Sequence, residues 1–159
     1  MPGTVSIKRA TVSDIGACLP LLSDLHKGDI GGTMSDCFAE FCTAPNAVAL
    51  IARREGEIVG LVTGTEAADL DFESHAAVIN AIIVARTCRG IGIGRSLMDA
   101  FVEWAHQRCC AAVLYSTGRD YAKRFARAVG FVPRSPASTF IKHLVSPNEP
   151  GISRRSEKE

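Results

Sequence analysis

Apolar residues recur along this chain with two distinct periods, and the changes between them divide it into strands and helices. Val5 to Arg9 predicts a short strand. Ser13 is then placed to cap a helix whose Ile15, Cys18, Leu19, Leu22 and Leu25 share one face, the face expected to pack on a sheet. Three glycines within His26 to Ser35 predict a loop, of the kind that often carries specificity, and a second short helix follows from about Asp36 to Cys42. Ala47 to Arg54 and Glu57 to Glu66 are two β-rich runs joined by Glu55-Gly56, a hairpin signature, so the first paired strands are antiparallel. After the polar stretch AADLDFES, His75 to Val84 is an almost continuous β-branched run, the pattern of a strand covered on both faces at the centre of a sheet.

The helical period returns from Gly94 to about Gln107, where Leu97, Met98, Phe101, Trp104 and Ala105 form one stripe, and Ala111 to Tyr115 reads as another strand. Strand, helix and strand make a βαβ unit, whose right-handed crossover sets the two strands parallel. A last helix from about Asp120 to Val129 presents Ala122, Phe125, Ala126 and Val129, and Gly130 sits where a left-handed cap would stop it. Phe131-Val132 and Thr139 to Leu144 are expected to close the sheet as short strands. The Pro-, Ser- and charge-rich segment 146–159 reads as a mobile tail, which leaves residues 1–145 as one domain.

Composition acts mainly by exclusion. Hydrophobic residues make up 47% and charged residues 22% of the 159, ordinary values for a globular protein. A formal net charge of +1 leaves no global field to attract nucleic acid or an anionic membrane. No apolar run approaches the ~18 residues of a membrane span, and MPGTVSIKRA lacks the apolar stretch of a signal peptide, so a cytoplasmic protein is expected. The six cysteines form no CxxC pair and have no spaced histidine partners, which predicts free, mostly buried thiols and no metal site.

Chemistry concentrates between the central strand and the helix after it. In Arg89-Gly90-Ile91-Gly92-Ile93-Gly94-Arg95, alternating glycines let the backbone bend and approach a ligand without Cβ atoms in the way. The exposed amides, added to the positive end of the following helix, make a seat for a phosphate or pyrophosphate, with Arg89 and Arg95 beside it. A Walker loop needs Gly-Lys-Ser/Thr, whereas Gly94 is followed by Arg95-Ser96; a dinucleotide fingerprint needs Gly-x-Gly-x-x-Gly on the first strand.

Arg89, Gly92 and Gly94 instead match the Arg/Gln-x-x-Gly-x-Gly/Ala of motif A of the GNAT acyltransferases. The chain resembles that superfamily also in the preceding strand Ile82 to Val84, in Gly130-Phe131 after the last helix, and in the order of elements from Val5 to Leu144. The resemblance implies an α/β fold with a mixed central sheet of about six to seven strands, an antiparallel N-terminal part, a parallel βαβ pair, and helices on both faces. It implies acetyl-coenzyme A as co-substrate. Ile82, Ile83 and Val84 would bind the pantetheine arm, and Gly90, Ile91, Gly92, Ile93, Gly94 and Arg95, with Arg89, would bind the pyrophosphate. It also implies an amine acceptor, small molecule or peptide, that attacks the thioester directly, and by analogy a homodimer.

Three positions depart from the family. Ala126 stands where members often carry a tyrosine that protonates the thiolate, Arg119 where many have asparagine, and Val78 where some have a glutamate base. Tyr121 and Ser116 are therefore candidate proton donors, Glu73 and His75 candidate bases, and Asn80, on the same strand face as Ile82 and Val84, a polar group needing a partner. Each also has a structural reading, as packing aromatic, backbone-bonded hydroxyl or solvated turn. Glu66, Asp69, Asp71 and Glu73 form an acidic cluster that attracts a cationic amine or is solvated loop charge. A coenzyme A binding module with weak or no turnover, and a nucleotide-binding βαβ domain, are the alternatives.

Overall fold

The computed structural model describes residues 3–25, 32–134, 140 and 142–144. Five strands form one sheet among them, β1 (Val5–Arg9), β2 (Ala47–Arg54), β3 (Glu57–Asp69), β4 (Ser74–Val84) and β5 (Ala112–Leu114), in the order β1-β2-β3-β4-β5. The first four pair antiparallel, and β4 pairs with β5 in parallel. Glu55 and Gly56 turn β2 into β3 with φ of 53° and 82°, the two positive values that a two-residue hairpin requires.

Four α-helices among the described residues cover the sheet. α1 (Ile15–Ser23) and α2 (Gly32–Thr43) lie on one face, where Cys18, Leu22 and Phe38 meet Ala49, Ile51 and Leu61. α3 (Ile93–Gln107) and α4 (Asp120–Ala128) cover the other, where Leu97 and Phe101 meet Val48, Leu50 and Val62. The alternation along β2, with Val48 and Leu50 to one side and Ala49 and Ile51 to the other, is the period of two that a doubly covered strand imposes. α3 lies close on β3 because two glycines sit beneath it. An added Cβ at Gly60 would stand 2.9 Å from Leu97 Cδ1, and one at Gly64 would stand 2.4 Å from the Phe101 ring.

Several boundaries differ from those read in the sequence. Thr11, not Ser13, begins the first helix: its N–H donates to Asp14 Oδ2 at 2.9 Å across the turn Val12–Asp14 that leads into α1. α2 starts at Gly32 instead of Asp36, because Met34 and Phe38 pack on the core and override the weak propensities of the glycine-rich stretch. Residues 26–31 of the predicted loop lie outside the described residues. β3 runs on through Ala67, Ala68 and Asp69, which pair with Ala76, His75 and Ser74, so half of the polar stretch is strand and Leu70–Phe72 is a helical turn.

The sheet has five described strands where six to seven were expected. Phe131 and Val132 are not a strand, because α4 ends at Gly130 (φ 97°) and the Phe131 N–H turns back to donate to Ala126 O at 2.9 Å. Phe140 and residues 142–144 are not in a strand either, and the rest of the predicted last strand and the 146–159 tail lie outside the described residues. All six thiols are free; Cys18 and Cys88 are buried, while Cys37 and Cys109 are exposed, so the cysteines are less uniformly interior than expected. Burial pushes Cys18 up to about 11. No helix among the described residues is long and apolar enough to cross a membrane.

Candidate active site

The site begins on β4. Ala85 N–H donates to Val59 O at 2.8 Å, and Leu61 stands opposite Ile83 while Gly60 stands opposite Val84. Hydrogen-bonded and non-bonded pairs alternate in an antiparallel ladder, so the main-chain groups of Ile83 turn toward β3 and those of Ile82 and Val84 turn away from it. On that outer side β5 has already ended, since its pairing stops at Val78 with Leu114. Among the described residues no strand pairs with β4 on that side beyond this point, and the edge from Ile82 to Val84 can take an extended ligand as an added strand. The Val84 carbonyl accepts from Arg89 Nε at 3.0 Å.

One irregularity sets this edge. Thr63 pairs with Ala81 and Gly64 with Ile79, which leaves Asn80 as the extra residue of a β-bulge. The bulge brings Ile82 and Val84 onto the α3 face together with Ala77 and Ile79. Asn80 goes the other way. Thr63 lies between Val62 and Gly64, both of which face α3, so its side chain points to the opposite face, and there its hydroxyl donates to Asn80 Oδ1 at 3.2 Å. Asn80 therefore does not share a face with Ile82 and Val84; the unpaired residue broke the period of two on which that expectation relied.

Beyond β4 the chain makes one helical turn, Arg86–Cys88, and bends through Gly90 (φ 78°) and Gly92 (φ 93°) into α3. Only glycine adopts such angles without strain. Gly92 is the N-cap, no side chain caps the helix, and the first helical bond runs from Ser96 N to Gly92 O at 3.0 Å. The N–H groups of Ile93, Gly94 and Arg95 thus have no partner within the helix and, at its positive end, form the expected anion seat. α4 closes against this turn at Gly94, where an added Cβ would lie 3.3 Å from Phe125 Cε2. Arg95 Nη2 ties the two helices by donating to Ala128 O at 2.9 Å.

Strand edge, glycine turn and α4 enclose a cleft of about 600 Å³. Every predicted cofactor residue lines it except Ile91, which is 55% exposed. Ile83 touches the cleft but spends its amide and carbonyl on β3. The facing wall is Tyr115, Tyr121, Ala122 and Phe125, and Asp24 and Leu25 close the cleft from the end of α1. Arg89, Arg95 and Arg119 outnumber the single lining carboxylate, Asp24, which makes the cleft electropositive.

Of the candidate acid–base residues, only Tyr121 lines the cleft, with its hydroxyl accepting from Arg119 Nη1 at 2.9 Å. Ser116 and Asn80 lie outside it. Glu73 and His75 stand at the far end of β4, where Glu73 supplies a left-handed turn residue (φ 48°); His75 is ~23 Å along the strand from Ile82. Tyr115 lines the cleft although it is not among the predicted site residues. An aromatic with a polar tip, ending an apolar run at the C-terminal end of a strand, was the signal for it.

Three of the four acids in the cluster have partners of their own. Glu66 is a buried strand residue, 7% exposed, and Arg108 donates to its Oε1 through Nε at 2.6 Å and through Nη2. His75 Nδ1 lies 3.6 Å from Glu66 Oε2, and Cys110 Sγ also points to it. The Arg108 hydrogen bonds hold the Glu66 carboxyl below the usual carboxylate range, while burial pulls the other way. Asp69 accepts from Asp71 N, and Asp71 pairs with Arg134.

Residues 18–131 match the model of the acetyltransferase (GNAT) family. An IAA acetyltransferase from Azospirillum brasilense is 30% identical over 142 residues, covering 86% of this chain and 89% of that one. The solved aminoglycoside N-acetyltransferase AAC(6')-Iy in complex with CoA superposes with a TM-score of 0.81 at 17% identity, over 89% of this chain and 97% of that one. A ribosomal-protein-alanine N-acetyltransferase from Brucella melitensis biovar Abortus gives 0.73 at 21% identity, over 88% and 99%. At these identities the structural likeness is one of fold. The family match itself spans the central strand, the glycine turn and the last helix that together build the cleft, and this chain belongs to the GNAT acetyltransferase family.

Proposed function

We propose that this protein transfers an acetyl group from acetyl-coenzyme A to a primary amine by direct attack of the amine on the thioester. The observation that carries the reading is the continuity of one cleft. An open strand edge at Ile82 and Val84 runs into the bare amides of Ile93, Gly94 and Arg95, and its volume of about 600 Å³ is in the range of small-molecule sites. A pantetheine arm supplies amides for the first part and a pyrophosphate supplies anionic oxygens for the second, so the residues present fit coenzyme A. A nucleotide without an extended amide arm would leave the strand edge unused. The relatives solved with CoA, or named for acetylating aminoglycosides and a ribosomal-protein alanine, agree with an amine acceptor, small or peptidic.

In this reading the chain positions more than it reacts. The edge of β4 fixes the thioester along the strand, and the helix end and the arginines hold the phosphates. The acceptor nitrogen is brought to the carbonyl carbon, an effect worth several orders of magnitude in rate. Action in the cytoplasm and as a homodimer belong to the same proposal.

A second reading, a coenzyme A binding module with little turnover, draws on Ala126 and on the distance of Glu73 and His75 from the cleft. Release of free thiol from acetyl-coenzyme A across an amine library separates the two. The transferase reading expects acceptor-dependent release from at least one amine, together with stabilisation by coenzyme A but not by NAD or ATP. Stabilisation without release in any case supports the binding module, and indifference to coenzyme A refutes both.

A further inference from the structure

We infer that the phenol of Tyr115 is the acid that protonates the departing coenzyme A thiolate. The inference rests on the acetyl transfer proposed above and names its proton donor.

The direction of the arm follows from the two halves of the cleft. With the pyrophosphate at the glycine turn, beyond Val84, an arm paired along β4 runs from Val84 toward Ile82 and on toward Val78. Its sulfur, two methylene groups past the last amide, therefore points to the apex where β4 and β5 part. That apex is the pair Val78–Leu114, and Tyr115 is the next residue of the chain. Its side chain lines the cleft, held by the edge of its ring against Phe131 at 6.2 Å and 68°.

The other hydroxyls are less well placed. Tyr121 is 56% exposed, and Ser116 is outside the cleft. Phe131 N–H donates to Ala126 O, so the position where a tyrosine was expected lies one residue contact from the Phe131 ring that supports Tyr115. The acid has moved from the last helix to the end of the last strand. Burial pushes the Tyr115 phenol above its ordinary value, with a hydrogen bond to Thr117 opposing, so the group stays protonated at neutral pH; the same burial raises the proton affinity of a thiolate leaving beside it.

The amine nitrogen attacks the carbonyl carbon, a C–N bond forms and the C–S bond breaks with its pair left on sulfur. Sulfur takes the Tyr115 proton, the new amide loses one to water, and the phenolate regains one from solvent.

Tyr115→Phe keeps the ring on Phe131 and removes only the hydroxyl. Steady-state kinetics with acetyl-coenzyme A should show kcat reduced about a hundredfold or more, with KM for acetyl-coenzyme A and the thermal shift by coenzyme A unchanged, and a kcat loss larger than that of Tyr121→Phe. A Tyr115→Phe enzyme of near wild-type kcat, a loss confined to Tyr121→Phe, or a kcat loss accompanied by loss of the coenzyme A shift would each overturn the assignment. If the wild-type protein binds coenzyme A but releases thiol with no amine, the transfer reading itself fails and the assignment falls with it.

Discussion

Replacing Glu66 by glutamine tests whether the acids between β3 and β4 build the fold or attract the substrate. The substitution keeps the shape of the side chain and removes its charge from beside Arg108 and His75. Breaking a pair buried on both sides costs about 3–5 kcal/mol. Here the Arg108 side chain is 39% exposed and swings into water once released, so the loss is closer to that of charge-assisted hydrogen bonds, about 1.5–3 kcal/mol. For a chain of this length that is a fall of roughly 3–12 °C in Tm. The folded-state carboxyl titrates below its unfolded value, so the native protein binds fewer protons than the unfolded chain. Its contribution is complete above the unfolded pKa of about 4.3 and fades as pH falls through the lower folded value. Urea unfolding of both proteins at pH 7 and at pH 3 should therefore show a gap that closes in acid. Equal stability at pH 7, or a gap just as wide at pH 3, would refute the clamp. A fall in kcat/KM for amines with stability intact would restore the substrate-attracting role.

Gly64→Ala places a Cβ 2.6 Å from the Val78 carbonyl oxygen and 2.4 Å from the fully buried Phe101 ring, and the backbone oxygen cannot yield; a loss of about 3 kcal/mol is expected in urea unfolding. Gly92→Ala forces an L-residue to φ 93° and should cost about 1–2 kcal/mol of stability, with isothermal titration showing weaker coenzyme A binding as the helix amides shift. Glu73→Gln and His75→Gln sit at the far end of β4, so each should leave kcat within about threefold of wild type in the thiol-release assay; a hundredfold loss in either would mean that the acceptor site reaches that end.

What the sequence made legible was whatever is written in neighbouring residues. The hairpin at Glu55-Gly56 follows from the positive φ of both residues, and the anion turn from glycines between an apolar strand and an amphipathic stripe. Long-range partners were not legible. Nothing near Glu66 announces Arg108, which is 42 residues away, so a buried strand acid read as loop charge. Thr11 and Ser13 are both competent caps, and only the approach of Asp14 decides between them. Tyr115 read as the last residue of a core strand, because β5 pairs for only three residues before the chain leaves it.

The bulge at Asn80 is the least legible feature on which the cleft depends. A β-bulge bends its strand and increases the local twist. Asn80 lies two residues beyond Val78, the last residue of β4 paired with β5, so the bend falls where the two strands part. Were Asn80 paired in a regular ladder, the alternation would carry Ala81 and Ile83, not Ile82 and Val84, to the α3 face with Ile79. The free main-chain groups would then belong to a strand whose side chains packed the other way round. The apolar run VINAIIV hides this, because either register buries an aliphatic side chain at every position except one. That exception, a single asparagine in an otherwise apolar strand, is the trace the bulge leaves in the sequence. The extra residue needed a side chain that tolerates the solvent-facing side of the kink and bonds back to Thr63, and asparagine does both. A polar residue that interrupts such a strand just before a glycine-rich turn is thus better read first as a change of register and only second as a catalytic group.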